Sequence, residues 1–261
     1  QRAGKGARQR SIVALIMEEK NRIIAVLDVD SADIAREIVA ELRDDVGAFK
    51  IGMQLFTAAG PIFVRELADS GIRVFLDLKY HDIPNTVARA SVEAARLGVW
   101  MFNMHALGGR EMMSTAVKAV DDVCEREGVR RPLMIGVTIL TSADQGSLNE
   151  VGISHDVADE VLRLAQLTAE CGLDGIVASP HEVKMIREVL GPDFVVVTPG
   201  IRPETEPGRD FATSDDQKRV TSPSSAVAAG SDFLVIGRPI LSAPDRRDAV
   251  RRIVEEIQVI Q

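Results

Sequence analysis

Eight short apolar runs recur along the chain after residue 20, and a turn and a stretch with helical periodicity follow each of them. The runs are IIAVLDV (23–29), AFKIG (48–52), RVFLDLK (73–79), VWMFNMHA (99–106), LMIGVT (133–138), DGIVAS (174–179), FVVVTPG (194–200) and DFLVIG (232–237). Strands that alternate with helices pair in parallel, because each helix carries the chain back along the sheet. Eight such units in 261 residues predict one α/β domain, a single (β/α)8 TIM barrel, which typically needs about 250 residues.

Cap residues mark the ends of several predicted helices. Ser31 precedes ADIAREIVAEL, and Ser222 with Pro223 opens SPSSAVAAG, which Gly230 closes. An open doubly wound sheet is the alternative architecture, but no GxGxxG follows the first strand, which disfavours its dinucleotide-binding version. We therefore expect residues 17–261 to form one barrel domain.

Composition narrows the classes of function. The net charge of −8 disfavours a nucleic-acid partner and requires that any anionic substrate be held by a local cluster of cations. The apolar runs are far shorter than the roughly 20 residues that span a bilayer, so we expect a cytoplasmic protein without membrane contact. The basic residues 1–16 are expected to be a flexible extension, outside the natural reading frame if Met17 is the true start.

Charged side chains occupy one face of the predicted strands near their carboxyl ends. Because side chains alternate across a strand, Phe75, Asp77 and Lys79 share the face that points into the barrel. The same parity places Asp28 and Lys50 at the ends of the first two strands. A purely structural ion-pair network is the alternative, but desolvating several charges costs several kcal/mol per ion. Charges gathered at the carboxyl ends of barrel strands therefore predict an active site.

The loops after the last two strands have the composition of a phosphate site. Gly237 and Arg238 follow the eighth strand, and Arg202 follows the seventh. Glycine lets backbone N–H groups approach phosphate oxygens, and an arginine can bind two of those oxygens at once. The stretch 203–221 lacks periodicity, which is typical of a lid or of a disordered insert. Its position beside the predicted phosphate site favours a lid that closes over substrate.

The segment FLDLKYHDIPNT (75–86) resembles the signature of the orotidine 5'-phosphate decarboxylase family, which makes UMP in pyrimidine biosynthesis. Further matching segments follow in order: LDVD (27–30), FKIGMQLFTAAGP (49–61), TILTS (138–142), TPGIRP (198–203), DQKR (216–219) and VIGRPI (235–240). The Asp-x-Lys-x-x-Asp core alone is shared with related phosphosugar decarboxylases. The ordered set, which extends from residue 22 to the end of the chain, is similar to the bacterial form of the orotidylate enzyme.

The resemblance implies a catalytic role for four residues. Lys79 would donate a proton to C6 of the pyrimidine, Asp77 and Asp82 would flank it, and Lys50 would complete an alternating array of charges. Asp82 and Thr86 would reach into the active site of a neighbouring subunit, which implies a homodimer with shared sites.

The resemblance also implies how the nucleotide is bound. Asp28 and Lys50 would hold the ribose hydroxyls. Thr141 and Ser142 would lie near the ribose and the pyrimidine edge, and the phosphate would contact Arg202, Gln217, Gly237 and Arg238. The family uses no cofactor and no metal, so the protein itself would have to stabilise the carbanion that forms at C6.

Three other functions remain open from the residues themselves. A phosphosugar decarboxylase of the same superfamily would need Mg²⁺. An aldolase would form a Schiff base on Lys79 or Lys50, although neighbouring aspartates would keep such a lysine protonated and poorly nucleophilic. A catalytically inactive protein that only binds a phosphorylated ligand is the third, and the intact Lys79 with its aspartates disfavours it.

Overall fold

The computed structural model describes residues 18–203 and 220–258 and contains a closed barrel of parallel strands in chain order. The strands are β1 (Ile23–Val26), β2 (Ala48–Gly52), β3 (Val74–Tyr80), β4 (Met101–His105), β5 (Leu133–Val137), β6 (Gly175–Val177), β7 (Val195–Thr198) and β8 (Phe233–Ile236). Each predicted run overlaps one of these strands, and only β3 extends past its run, to Tyr80. Strand β1 pairs with β8 to close the barrel. The predicted (β/α)8 barrel is confirmed, and the open sheet is not formed.

Helices connect successive strands and surround the barrel. They are α1 (Ala32–Leu42), α2 (Met53–Asp69), α3 (Pro84–Arg96), α4 (Gly109–Glu127), α5 (Gln145–Glu150), α6 (Val157–Glu170), α7 (Val183–Leu190), α8 (Pro223–Ala229), α9 (Arg238–Leu241) and α10 (Arg246–Gln258). Short 3-10 helices cover Glu19–Arg22 and Ala106–Gly108. Within the part of the chain that the structure describes, no helix combines the length and the apolar character needed to cross a membrane.

The predicted caps are present. The Ser31 hydroxyl accepts the N–H of Ile34 at 3.4 Å, and the Ser222 hydroxyl accepts the N–H of Ser225 at 3.2 Å. These bonds satisfy N–H groups that have no partner within the first helical turn. Gly230 ends α8 with a φ of 108°, a left-handed conformation that glycine adopts without steric cost.

The core has two layers that follow the alternation of side chains along the strands. The inner layer fills the barrel and consists of Ile24, Val26, Ala48, Phe75, Met101, Ile135, Val197, Phe233 and Val235. The outer layer packs the other strand faces, including Val74 and Leu76, against the helices. The predicted inward face of β3 is thereby confirmed at Phe75, and the charged residues that follow it lie at the carboxyl end of the barrel.

The pairing of β3 with β4 shifts by two residues just where the charged residues begin. Leu76 pairs with Phe102 and Tyr80 pairs with Met104, so residues 77–79 of β3 stand opposite a single residue of β4. Because two residues are added, side chains still alternate, and Tyr80 returns to the outer layer. Lys79 has a φ of 53°, the only positive φ of a residue other than glycine in the described ranges.

Candidate active site

A cavity of about 360 Å³ opens at the carboxyl ends of the strands. The predicted site residues in its wall are Asp28, Lys50, Asp77, Lys79, Thr141, Ser142, Arg202, Gly237 and Arg238. Apolar side chains of the inner core layer, Phe75 among them, line the same cavity. The fold therefore brings residues from β1, β2 and β3 together with residues that follow β5, β7 and β8. Gln217 lies outside the described residues, as do residues 204–219 of the predicted lid. The predicted N-terminal extension, residues 1–16, also lies outside them.

Alternating charges run along one wall of the cavity. The Asp77 carboxylate contacts the Lys79 ammonium through Oδ1 at 2.6 Å and the Lys50 ammonium through Oδ2 at 3.0 Å. Lys50 also lies 3.6 Å from Oδ1 of Asp28. Asp77 and Lys50 are only 8 % and 9 % exposed, whereas the Asp28 side chain is 57 % exposed. The loop after β1 and the neighbouring strands β2 and β3 thus supply a linked row of two carboxylates and two ammonium groups.

The environment keeps the Asp77 carboxyl ionised. Burial alone would raise its pKa, but the positive charges of Lys50 and Lys79 and the hydrogen bonds from Lys79 and Asn103 outweigh that effect and hold the pKa at about 2. The group is therefore a carboxylate at any physiological pH.

Asn103 on β4 is a member of this wall that the sequence interpretation missed. Its side chain is 1 % exposed, and its amide nitrogen donates to Oδ1 of Asp77 at 2.7 Å. Its amide oxygen accepts the backbone N–H of Lys79 at 2.8 Å. The available signal was parity, since Met101, Asn103 and His105 alternate on the inward face of β4 as the charged residues do on β3.

Gly52 is a second residue that the sequence interpretation missed. A Cβ at this position would lie 3.2 Å from both Oδ1 of Asp28 and Nζ of Lys50. The glycine therefore leaves the space in which the Asp28–Lys50 pair sits.

Two arginines and a glycine that follow β7 and β8 line the same cavity. Arg202 follows β7, while Gly237 and Arg238 follow β8 and begin α9. The backbone of Arg202 is tied to the returning chain, because its N–H donates to the carbonyl of Thr221 at 2.9 Å. The N–H of Thr221 in turn donates to the carbonyl of Gly200 at 3.2 Å. Arg202, Gly237 and Arg238, the described residues among those predicted to bind phosphate, thus line one cavity.

Asp82 and Thr86 lie outside the cavity of their own chain. Both are exposed, and Oδ1 of Asp82 accepts the N–H of Ile83 at 2.6 Å. Ile83 itself is 67 % exposed. A single chain therefore leaves these two predicted site residues outside the cavity that contains the Asp77–Lys79 pair, in the first turn of α3 and the segment just before it.

Two histidines lie beside the charged wall. The rings of His81 and His105 are 5.5 Å apart between centroids, and Nδ1 of His105 is buried with no hydrogen-bond partner among the described residues. Burial, followed by the nearby His81 and Lys79, lowers the pKa of His105. The imidazole is therefore neutral at physiological pH. The described ranges contain no group of three or more His, Cys, Asp or Glu side chains placed to hold a metal ion.

Comparisons with known proteins agree with this geometry. The model of the orotidine 5'-phosphate decarboxylase / HUMPS family matches residues 21–253. The orotidine 5'-phosphate decarboxylase of Syntrophotalea carbinolica is 52 % identical over 243 residues, covering 93 % of this chain and 97 % of that protein. The enzyme of the same name from Pelobacter propionicus is 54 % identical over 241 residues, covering 92 % of this chain and 96 % of that protein.

A solved structure extends the likeness to three dimensions. The crystal structure of orotidine 5'-phosphate decarboxylase from Lactobacillus acidophilus superposes with a TM-score of 0.78 at 36 % identity, covering 90 % of this chain and 98 % of that one. A family match over most of the chain, relatives near half identity and a shared barrel lead to one conclusion: the chain belongs to the orotidine 5'-phosphate decarboxylase / HUMPS family.

Proposed function

We propose that this protein decarboxylates orotidine 5'-phosphate to UMP without a cofactor. The observation that carries the proposal is the Lys50–Asp77–Lys79 array, which lines one cavity together with Arg202 and Arg238. The names of relatives that are about half identical over nearly their whole length support the same reaction. The substrate would carry its reacting carboxylate to the array and its phosphate to the arginines.

Lys79 is the proposed proton donor. When the bond between C6 and the carboxylate carbon breaks, CO₂ departs and the electron pair stays on C6. An ammonium group held beside C6 stabilises that developing negative charge and then transfers its proton to the same atom. The Asp77 carboxylate, 2.6 Å from Nζ, holds and orients the donor.

Repulsion between Asp77 and the substrate carboxylate would assist but not dominate. Two like charges about 4 Å apart repel by about 1–4 kcal/mol at effective dielectric constants of about 80 to 20. Enzymes commonly lower barriers by about 8–23 kcal/mol. Stabilisation of the transition state by the fixed charges must therefore supply the larger share.

Substrate binding is proposed to use the remainder of the cavity wall. Asp28 and Lys50 would bind the ribose hydroxyls, and Thr141 and Ser142 would lie near the ribose and the pyrimidine edge. Binding energy from the remote phosphate would then support catalysis at the pyrimidine. The role of Gln217 on a closing lid and the cytoplasmic location both remain predictions.

A homodimer with shared sites is part of the proposal. Asp82 and Thr86 are exposed and lie outside the cavity of their own chain, and the exposed apolar Ile83 stands between them. A partner subunit that covers this segment would bury Ile83 and would receive Asp82 beside its own Lys79.

Turnover of orotidine 5'-phosphate, followed by its ultraviolet absorbance in the presence of EDTA, tests the assignment. We expect the protein to be active without metal and Lys79→Ala to lose at least about 10³-fold in kcat, because the variant lacks both the stabilising charge and the proton. Lys118→Ala, which removes an exposed lysine of α4, is the matched control and should match the unmodified enzyme.

Other results would point to the alternative functions. Loss of activity in EDTA that Mg²⁺ restores would favour a phosphosugar decarboxylase. Covalent trapping of a lysine by borohydride in the presence of substrate would favour an aldolase. Full activity of Lys79→Ala would refute the proposed mechanism.

A further inference from the structure

We infer that Asn103 is a positioning residue of this active site: its single amide holds the Asp77 carboxylate and the backbone of Lys79 in the arrangement that the reaction needs. The inference rests on the proposed function. Asn103 lies on β4, outside the segment 75–86 and outside the other segments that resemble the family.

The first part of the argument concerns the backbone. Residues 77–79 of β3 stand opposite Asn103 alone, so the regular ladder between the two strands is interrupted where Lys79 lies. Lys79 adopts a φ of 53°, a conformation that residues with a side chain populate sparsely and that surrounding contacts must impose. The Asn103 amide oxygen replaces the missing ladder partner, since it accepts the N–H of Lys79 at 2.8 Å.

The second part concerns the carboxylate. The Asn103 amide nitrogen donates to Oδ1 of Asp77 at 2.7 Å, and the Lys79 ammonium contacts the same oxygen at 2.6 Å. The direction of both bonds fixes which end of the amide is oxygen, because an N–H must donate and a carboxylate must accept. Asn103 is 1 % exposed, so water has little access to replace either bond.

The two bonds together form a closed loop through Lys79. Its ammonium is held by Asp77, Asp77 is held by Asn103, and Asn103 holds the Lys79 backbone. A residue that offers only one of the two hydrogen-bonding groups breaks the loop at a known point. The position of Nζ relative to C6 would then relax, and misplacement by about 1 Å can cost about 10²-fold in rate.

Substitutions at Asn103 test the inference through kcat, KM and UMP affinity. We expect Asn103→Ala to lower kcat by about 10²-fold, while KM and the Kd of UMP change by less than about threefold, because the residues proposed to bind ribose and phosphate are untouched. Thr168→Val is the matched control, since it also removes a fully buried hydrogen-bonding group, here one that donates to the Leu164 carbonyl in α6. It should leave kcat within about twofold.

Asn103→Asp distinguishes a positioning role from a merely structural one, because only the positioning role predicts a pH-dependent kcat. The introduced carboxyl keeps an acceptor for the Lys79 N–H but can donate to Asp77 only when it is protonated, and the neighbouring Asp77 carboxylate favours that protonated form. The charged or titratable groups around it are Asp77 and Lys79 of β3, Lys50 of β2 and His105 of β4. The ratio of its kcat to that of the unmodified enzyme should rise at least about fivefold between about pH 8 and about pH 5.

The outcomes separate this inference from the proposed function. If the unmodified enzyme fails to turn over orotidine 5'-phosphate, the proposed function is wrong and the inference falls with it. If it is active but Asn103→Ala keeps kcat within about threefold, only the inference is overturned. Should Asn103→Ala not fold, the Asn103→Asp profile decides, and a ratio that does not change with pH contradicts the positioning role.

Discussion

The Asp77 carboxylate accepts contacts from three donors, two of them cationic, in a place where little water remains. Such a group is costly to bury and costly to disturb, because its partners have lost their hydration as well. Its removal leaves Lys50 and Lys79 facing each other without the anion that separates them. Stability at this residue therefore depends on keeping the charges balanced.

Asp77→Asn should destabilise the protein by about 3 kcal/mol at pH 7, because it removes the buried anion that contacts both the buried Lys50 and the partly exposed Lys79. Asp28→Asn is the matched comparison: the Asp28 side chain is 57 % exposed and 3.6 Å from Lys50, so its loss should cost less than about 1 kcal/mol. Urea unfolding at one protein concentration measures both values. Equal losses for the two variants would contradict the assigned role of burial.

The stability that Asp77 contributes depends on pH in a defined direction. The pKa of Asp77 is lowered from 3.8 to about 2 in the folded protein, so its contribution to stability is present above about pH 4 and is lost as the pH falls toward 2. The stability gap between the unmodified protein and Asp77→Asn should therefore shrink below pH 4. A gap that stayed constant down to pH 2 would mean that Asp77 is not held ionised by its neighbours.

Among individual residues, the charged ones of the site could be predicted from the sequence. Asp28, Lys50, Asp77 and Lys79 were found because charges on the inward face of a strand have no packing reason to be there. Asn103 was missed because an uncharged amide in a strand is unremarkable until its partners are known. Its role depends on a two-residue shift between β3 and β4, which the alternation of side chains does not reveal.

At the scale of elements, β3 combines two tasks along its length. Its first half pairs regularly with β2 and β4, and its second half departs from the β4 register to present Asp77 and Lys79. All eight strands were predictable, because apolar runs and turn residues alternate clearly. The ends of the strands were less predictable, because β1 stops at Val26 and Asp28 lies beyond it in the loop.

The glycine that ends α4 allows a separate prediction about stability. Gly128 ends α4 in a left-handed conformation with a φ of 67°, so Gly128→Ala should destabilise the protein by about 1 kcal/mol. Gly128→Asn should cost less, since asparagine tolerates this conformation better than alanine does. Thermal unfolding of the three proteins gives the order, and an alanine variant as stable as the glycine form would contradict the role of Gly128 as a cap.

For the whole molecule, the proposed sharing of sites predicts complementation between inactive variants. Lys79→Ala and Asp82→Ala should each be inactive, because each removes one group from every site. Mixed dimers of the two would contain one intact site, with Lys79 from one chain and Asp82 from the other. An equal mixture that is dissociated and reassembled should recover about a quarter of the activity of the unmodified enzyme.

Recovery in that mixture requires reassembly, so the same proteins mixed without dissociation are the control. No recovery after verified exchange of subunits would contradict the shared site. The assembly lies beyond what alternation and capping predict, because both describe how one chain buries its own apolar surface. The exposed Ile83 lies next to Asp82, so the proposed interface would bury it.

The uneven distribution of charge also governs how a nucleotide would encounter the protein. The chain carries a net charge of −8, yet Lys50, Lys79, Arg202 and Arg238 line one cavity. The carboxylates of Asp28 and Asp77 line the same cavity, so its wall has four cationic and two anionic side chains. The cavity therefore has the opposite sign to the chain as a whole, and an approaching anion is attracted toward the mouth of the barrel. At physiological ionic strength the Debye length is about 8 Å, so this selection of direction acts only over the last nanometre of the approach.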